Sequence, residues 1–312
     1  MKRIVNSHSE RMARITRPNK TKRVLNSLSE RMARITRPSR PYLRDLMLKY
    51  QTKNLSSKNP ESFRARINEF LNLKDSRMEG LEDSVGQRDF TVAFRWGHDH
   101  DFGAFQIKGE MGDRHIRHLA EFIDGLKAIP QSLSGMKVLD IGCWTGGTSL
   151  LMCAMGAQVL AIDEVKKYVD CLRYLKEAFS IETLEVQHRS LYGLTEAEFQ
   201  DRFDLVLFAG VLYHVTDPIV ALRTTFNCLR DGGKCLIETT GFRCRRPFIS
   251  YVRRVCNWFD LSPTALRQMM ADVGYADIQV GRISLYDRLY AVGRRLRHVA
   301  MRRDGLSLRS LR

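Results

Sequence analysis

The stretch from residue 138 to residue 155 constrains the fold of this chain more than any other. An apolar run at 138–141 has the length of a buried strand, and a second apolar run at 149–155 has the length of a short helix. Gly142 and Gly146 lie between them, where the missing Cβ lets the backbone approach a ligand closely. The free N–H groups at the start of the helix can bind a polar or anionic ligand. The stretch therefore predicts a parallel strand that turns into a helix beside a ligand.

A further apolar run at 158–162 ends in an acid that supports the same interpretation. Asp163 lies 23 residues after Asp140, about the offset at which the acid of a Rossmann-type unit reaches a ribose hydroxyl. Trp144 stands where the dinucleotide fingerprint has its second glycine, which disfavours NAD and FAD. The spacing predicts a nucleoside ligand, and a Rossmann-like turn without a ligand is the alternative.

The rest of the chain alternates between strand and helix patterns. An amphipathic helix at 113–126 precedes the first strand. Strands are expected near 136–141, 158–162, 183–187, 204–208 and 233–239, and helices near 147–155, 165–179, 194–200, 217–230 and 263–273. Residues 276–280 and 289–293 fit a strand pair, whereas the apolar spacing over 285–299 also fits an amphipathic helix, and we favour the strands. This alternation predicts an α/β fold with a parallel sheet and right-handed crossovers.

The pattern Asp140-x-Gly142-x-x-x-Gly146 resembles motif I of the class I S-adenosylmethionine (SAM) methyltransferases. Further along the chain, the segments 210–214, 231–239 and 257–275 resemble the group around the tRNA wobble-uridine carboxymethyltransferases. The resemblance covers about residues 92–295. It implies a Rossmann-like fold with a mostly parallel seven-stranded sheet, helices on both faces and an antiparallel last strand.

The resemblance also implies a SAM site. The motif I loop would hold the amino-acid end of SAM, Asp163 the ribose, and the stretch after the third strand the adenine. The implied cofactor-binding residues are Asp140, Gly142, Cys143, Trp144, Gly146, Asp163, Ser190, Leu191, Ala209 and Tyr213. Ser190 stands where many family members carry an acid. In the carboxymethyltransferase group the tyrosine that matches Tyr213 helps bind carboxy-SAM, so this donor is an alternative. In that group basic side chains also help bind carboxy-SAM, but no motif identifies them in this sequence. Lys108, Arg114 and Arg243 are the candidates for this role.

Catalysis is assigned to His214 and Tyr213, which follow the fourth strand and would lie beside the sulfonium. His214 could act as a general base because the ordinary pKa of imidazole lies near neutral pH. A structural histidine is the alternative. No metal site is expected: His98 and His100 have no third strong ligand, so we interpret the aromatic segment around them as a substrate-facing lid.

The charge distribution points to an anionic partner. The chain has a formal net charge of +16, with +11 in residues 1–50 and +7 in residues 282–312, which leaves −2 in the middle. We expect the basic termini to contact nucleic acid, with tRNA as the leading acceptor. The alternatives are solubilising tails, a small-molecule acceptor such as a sugar, lipid or natural product, and an inactive RNA-binding module.

The first forty residues form a tandem repeat, in which residues 9–18 recur as residues 29–38. Each copy predicts a short helix with an S-x-x-E capping box and a terminating proline. A transit peptide is the alternative interpretation. The expected organisation is a basic, poorly ordered leader at 1–40, a helical extension and linker at 41–90, a methyltransferase domain at 91–296 and a basic tail at 297–312.

The seven cysteines include no C-x-x-C pair and are odd in number, which favours reduced thiols. No apolar run approaches the ~20 residues that a transmembrane helix needs. The basic N-terminus lacks the apolar region of a secretory signal. These features predict a cytoplasmic protein.

Overall fold

A seven-stranded sheet lies at the centre of this computed structural model. The structure describes residues 40–73, 76–77, 91–92, 94–254, 257–281 and 287–296. Short strand pairs join Ser76–Arg77 to Thr91–Val92 and His100–Asp101 to Gln106–Ile107. The longer strands, in chain order, are β1 (Lys137–Ile141), β2 (Gln158–Asp163), β3 (Leu184–His188), β4 (Phe203–Ala209), β5 (Leu229–Thr240), β6 (Ile249–Arg254), β7 (Asn257–Leu261), β8 (Ala276–Val280) and β9 (Arg288–Arg294).

The strand order in the central sheet is β8-β9-β5-β4-β1-β2-β3. Strands β3, β2, β1, β4 and β5 run parallel, while β9 pairs antiparallel with both β5 and β8. This confirms the predicted fold class, including the antiparallel last strand. The interior strands are buried on both faces, which explains why β1 and β4 are nearly continuous apolar runs. The hairpin of β6 and β7 lies outside the central sheet.

Helices cover both faces of the sheet and agree closely with the sequence pattern. They are α1 (Pro41–Met47), α2 (Pro60–Leu71), α3 (Arg114–Ala120), α4 (Gly147–Ala154), α5 (Lys166–Ala178), α6 (Glu196–Phe199), α7 (Pro218–Cys228) and α8 (Pro263–Val273). After α3 the chain continues into a π-helical segment, Glu121–Gly125. The junction between α7 and β5 differs from prediction: α7 ends at Cys228, and β5 begins already at Leu229, where it pairs with Phe203.

Residues 40–71 pack against the domain that carries the sheet. The Tyr50 hydroxyl donates a hydrogen bond to the Leu150 carbonyl at 2.7 Å, and Lys49 Nζ donates to the Ala154 carbonyl at 3.0 Å, both in α4. Phe63 of α2 is buried against the ring of Phe102 at a centroid distance of 5.1 Å. The extension therefore belongs to the same compact unit as the sheet.

Several sequence predictions concern segments that the structure does not describe. The tandem repeat with its capping boxes and the tail from residue 297 lie outside the described residues, as does most of the linker before residue 91. Within the described part of the chain, no helix has the length and apolar character needed to cross a membrane.

Candidate functional site

A cavity of about 670 Å³ opens at the carboxyl ends of β1, β2 and β4. Ligands of open α/β sheets bind at this edge, because the loops that leave parallel strands converge there. The cavity is within the size range of sites for small molecules and cofactors. Its lining combines acids (Glu110, Asp140, Asp163, Glu164), bases (Arg114, Arg189, Arg288), aromatic residues (Trp144, Tyr168, Tyr192, Tyr213) and histidines (His98, His118, His214) with apolar side chains.

The loop between β1 and α4 makes one wall of the cavity and has an unusual backbone. Gly142, Trp144 and Gly146 all have positive φ, at 74°, 52° and 81°. The N–H groups of Gly142 and Cys143 both donate to the Ile162 carbonyl, at 2.9 and 3.0 Å. These bonds hold the loop against the end of β2, so the two strand ends form one continuous wall.

Gly146 makes the sharp entry into α4 and cannot be replaced without strain. A Cβ at this position would collide with the side chain of Leu172 in α5. We expect Gly146→Ala to lower the free energy of unfolding by about 2 kcal/mol, from the left-handed backbone together with the overpacking. Chemical denaturation monitored by circular dichroism measures the change.

Gly135 offers a matched control for this substitution. Its φ of 77° is nearly the same, but nothing lies within 4 Å of the Cβ that alanine would add. Gly135→Ala should therefore cost only the backbone strain, about 1 kcal/mol. Equal losses in the two variants would contradict the proposed contact between α4 and α5.

Three acidic side chains lie together at the β1 and β2 end of the cavity. Asp163 accepts hydrogen bonds from the Trp144 and Val165 N–H groups, each at 2.9 Å, which fixes its carboxylate between the two loops. Asp140 accepts a hydrogen bond from the Ser149 hydroxyl at 2.6 Å. Burial raises the pKa of Asp140 to about 7 and that of Asp163 to about 6. Glu164 accepts a hydrogen bond from the Ser190 hydroxyl.

The segment 94–103 packs beside the glycine loop and contributes His98 to the cavity lining, while its interpretation as a lid stays a prediction. The Gly97 N–H donates to the Thr145 hydroxyl at 3.0 Å, and His98 packs near Trp144 at a ring distance of 5.8 Å. His100 instead stacks on Phe102 at 3.9 Å and is buried away from the cavity. Burial lowers the pKa of both histidines to about 4. Among the residues described, no three His, Cys, Asp or Glu side chains are arranged to hold a metal ion.

A buried polar network lies at the β4 and β5 end of the cavity. Arg288 forms an ion pair with Glu238 and donates a hydrogen bond to the Tyr213 hydroxyl at 3.1 Å. His118 Nε2 lies 3.6 Å from Glu238 Oε1. Burial raises the pKa of Glu238, while the guanidinium groups of Arg288 and Arg114 act in the opposite direction. Burial also raises the pKa of Tyr213, so its hydroxyl stays protonated at neutral pH.

Most of the predicted site residues line this one cavity. They are Asp140, Gly142, Cys143, Trp144, Asp163, Leu191, Ala209, Tyr213 and His214. Gly146 and Ser190 are buried behind the wall and are not among the lining residues. The Ser190 hydroxyl donates a hydrogen bond to Glu164 and caps a short turn by accepting one from the Tyr192 N–H at 3.2 Å. His214 is exposed at the mouth, and its role as a base stays a prediction.

The basic residues of the site differ from the sequence candidates. Arg114 lines the cavity as expected. Lys108 is 81% exposed and pairs with Asp99, and Arg243 is exposed outside the lining. Sequence reasoning missed Arg288 and assigned no role to Glu238. An acid within an apolar strand, such as Glu238 in β5, predicts a buried partner of opposite charge. The sequence near Glu238 does not identify Arg288 as that partner.

Comparison with known proteins gives one family match. A family described as a methyltransferase domain matches residues 113–288. The chain is 29% identical over 185 residues to a tRNA U34 carboxymethyltransferase of Desulfotalea psychrophila, and the match covers 57% of this chain and 57% of the relative. It is 32% identical over 127 residues to a ubiquinone biosynthesis O-methyltransferase of Ruegeria pomeroyi, which covers 41% of this chain and 50% of the relative.

Among solved structures, the N-terminal domain of EvdMO1 with SAH bound is similar, with a TM-score of 0.54 and 16% identity. The match covers 76% of this chain and 97% of that one. At this identity the likeness concerns the fold. The matches to the two curated relatives span about half of their lengths.

Proposed function

Because the chain belongs to the family of methyltransferase domains, we propose that it transfers a methyl group from SAM to a nucleic-acid acceptor, with tRNA as the leading candidate. The family match agrees with the resemblance to class I methyltransferases in the sequence. The observation that carries the proposal is the cavity, which the motif I loop and Asp163 line together at the carboxyl edge of the sheet.

The residues of the cavity fit SAM. Asp163 offers carboxylate oxygens to the hydroxyl groups of a ribose, and Asp140 lies by the loop proposed to hold the amino-acid end. Ile162 and Leu191 supply apolar surface for a base. No acid follows β3 at position 190, so we assign the adenine contact to backbone groups and these apolar side chains.

When bound, SAM would supply an activated methyl group at its sulfonium. The chain would align the acceptor with this group and shield the site from solvent. An acceptor whose reacting group is protonated would have to give up that proton during the transfer. Tyr213 and Ala209 would border the transferred methyl group, and alignment alone can provide much of the rate enhancement. His214, exposed at the mouth, is the candidate acceptor of that proton.

The acceptor is the finer part of the proposal. The formal net charge of +16 and its concentration at both termini support an anionic acceptor. The name of the Desulfotalea psychrophila relative supports tRNA, whereas the name of the Ruegeria pomeroyi relative supports a small-molecule acceptor. We favour nucleic acid because the positive charge of the whole chain also supports an anionic acceptor.

A second candidate is carboxymethyl transfer from carboxy-SAM. Arg114 and Arg288 line the cavity near Tyr213, and guanidinium groups recognise carboxylates well. Glu238 already neutralises Arg288, which leaves Arg114 and the Tyr213 hydroxyl for an added carboxylate. We therefore keep SAM as the leading donor.

Calorimetric titration with SAM, carboxy-SAM and S-adenosylhomocysteine (SAH) tests both candidates. We expect SAM and SAH to bind, and Tyr213→Phe to change their affinities by less than about threefold, because the hydroxyl bonds to Arg288 rather than to a group common to both ligands. A preference for carboxy-SAM that Tyr213→Phe reduces by about tenfold would favour the second candidate. No binding of any of the three would overturn the enzyme proposal.

A further inference from the structure

A second feature at the mouth of the cavity is the segment 242–261, called here the arginine hairpin. It consists of a loop at 242–248 followed by β6 and β7. Residues 242–254 contain five arginines and no acid, although residues 51–281 as a whole carry a net charge of −2. The arginine hairpin is thus a local positive segment in an otherwise balanced part of the chain.

Hydrogen bonds to the start of α8 fix the backbone of the loop. The carbonyl groups of Arg245 and Arg246 accept from the hydroxyls of Thr264 and Ser262, at 2.9 and 2.8 Å. The Phe248 N–H donates to the Ser262 hydroxyl at 2.9 Å. The side chains of Arg245 and Arg246 are nevertheless exposed and have no acidic partner within ion-pair distance among the residues described. The loop therefore presents guanidinium groups from an ordered backbone.

Large apolar side chains are exposed next to these arginines. Phe248, Ile249 and Tyr251 are 53%, 47% and 61% exposed. The Tyr251 ring lies 5.9 Å from the ring of Phe259, which packs against the core. The ring of Trp258 lies 6.0 Å from Tyr251 as well, so two neighbouring rings support Tyr251 while most of its own surface stays exposed. Exposed apolar groups that cluster in this way mark interaction sites.

The arginine hairpin is continuous with the candidate active site. Strand β7 packs against the Leu212–His214 turn, and its first residue, Asn257, lines the cavity. An acceptor held on the hairpin would therefore lie next to the cavity mouth, where His214 is exposed.

We infer that the arginine hairpin binds the single-stranded segment of a nucleic acid that carries the acceptor nucleoside. The guanidinium groups of Arg245 and Arg246 match phosphate oxygens, and the exposed ring of Tyr251 is a platform on which a base can stack. Proteins that bind single-stranded nucleic acids commonly combine positive charge with exposed aromatic rings. The inference rests on the proposed function, because it assumes that the neighbouring cavity holds the methyl donor.

Binding of unfractionated tRNA to the full chain, saturated with SAH and measured by filter retention, tests this inference. Arg245→Gln combined with Arg246→Gln should weaken binding about tenfold and lower the slope of log K against log salt by about 1.4, the value for two phosphates of a single strand. Tyr251→Ala should weaken binding about tenfold, whereas Tyr251→Trp should retain it, because stacking needs only an aromatic face.

A matched control removes two positive charges elsewhere. Lys53 and Lys137 are exposed, and Lys137 begins β1 at the opposite edge of the sheet from the cavity. Lys53→Gln combined with Lys137→Gln should change tRNA binding by less than twofold. Equal weakening in this control would mean that only net charge matters, and would overturn the inference.

Further outcomes separate this inference from the proposed function. Failure of the wild-type chain to bind SAM contradicts the proposed function. If SAM binds but the hairpin variants bind tRNA like the wild type, or if the wild type binds no tRNA, the inference alone is wrong. Binding to vesicles of anionic phospholipid, lost in the hairpin variants while tRNA binding is retained, would assign the arginine hairpin to membranes instead.

Discussion

Replacing Arg288 with methionine is expected to lower the free energy of unfolding by about 3–5 kcal/mol. Glu238 is fully buried, and Arg288 forms an ion pair with it. Without Arg288 the Glu238 carboxylate keeps its desolvation cost but loses its nearest positive charge. Thermal and chemical denaturation of the variant, compared with the wild type, measure the loss.

The pH dependence of this loss identifies its cause. Burial raises the pKa of Glu238, and the charge of Arg288 lowers it. Removing Arg288 should therefore raise the pKa of Glu238 further, so the folded variant binds a proton at Glu238 more tightly than the unfolded chain does. Stability of the variant should therefore fall as the pH rises above the ordinary pKa of glutamate, and the gap to the wild type should be smaller at pH 5 than at pH 8.

Arg230 provides the control, because its ion pair with Asp204 involves an arginine side chain that is 63% exposed. Arg230→Met should cost less than about 1 kcal/mol. Combining Arg288→Met with Glu238→Gln should recover part of the lost stability, since the buried charge is removed. A loss no larger than that of Arg230→Met, or one independent of pH, would contradict the assigned role of the pair.

The second large effect is expected at Asp163. Asp163→Asn should weaken the binding of SAM and SAH by about 10- to 100-fold, the range for losing a hydrogen bond to a charged group. Both oxygens of Asp163 are held by N–H groups of the two neighbouring loops, so its carboxylate is preorganised toward the cavity. Because the ribose is common to both ligands, calorimetry should give the same factor for each.

Glu164 is the matched control for Asp163. It is the next residue in the chain and also lines the cavity, but its carboxylate accepts a hydrogen bond from Ser190. Glu164→Gln should weaken binding by less than about threefold, because the amide retains an oxygen acceptor for Ser190. A larger effect of Glu164→Gln than of Asp163→Asn would reassign the ribose contact to Glu164.

Local patterns in the sequence were sufficient for the α/β fold class and for the edge of the sheet at which the cavity lies, while the seven strands and the antiparallel last strand came from the family resemblance. Apolar runs of strand and helix length alternate, and this alternation already requires a parallel sheet. Parallel strands bring their carboxyl ends to one edge, so the order of the elements along the chain is enough to assign the residues after β1, β2 and β4 to one place. The glycines at 142 and 146 were recognisable for a similar reason, since they occupy a sharp turn between two apolar runs.

Only the tertiary structure decided which groups meet across long separations in the chain. Arg288 reaches Tyr213 and Glu238 because β9 inserts antiparallel beside β5, and no local pattern specifies that pairing. Ser190 and Gly146 follow their strands as expected, but side-chain packing places them behind the cavity wall. Periodicity along the chain determines which face of an element is apolar. It does not determine which charged group on another element will compensate a buried carboxylate, because that depends on strand order and packing.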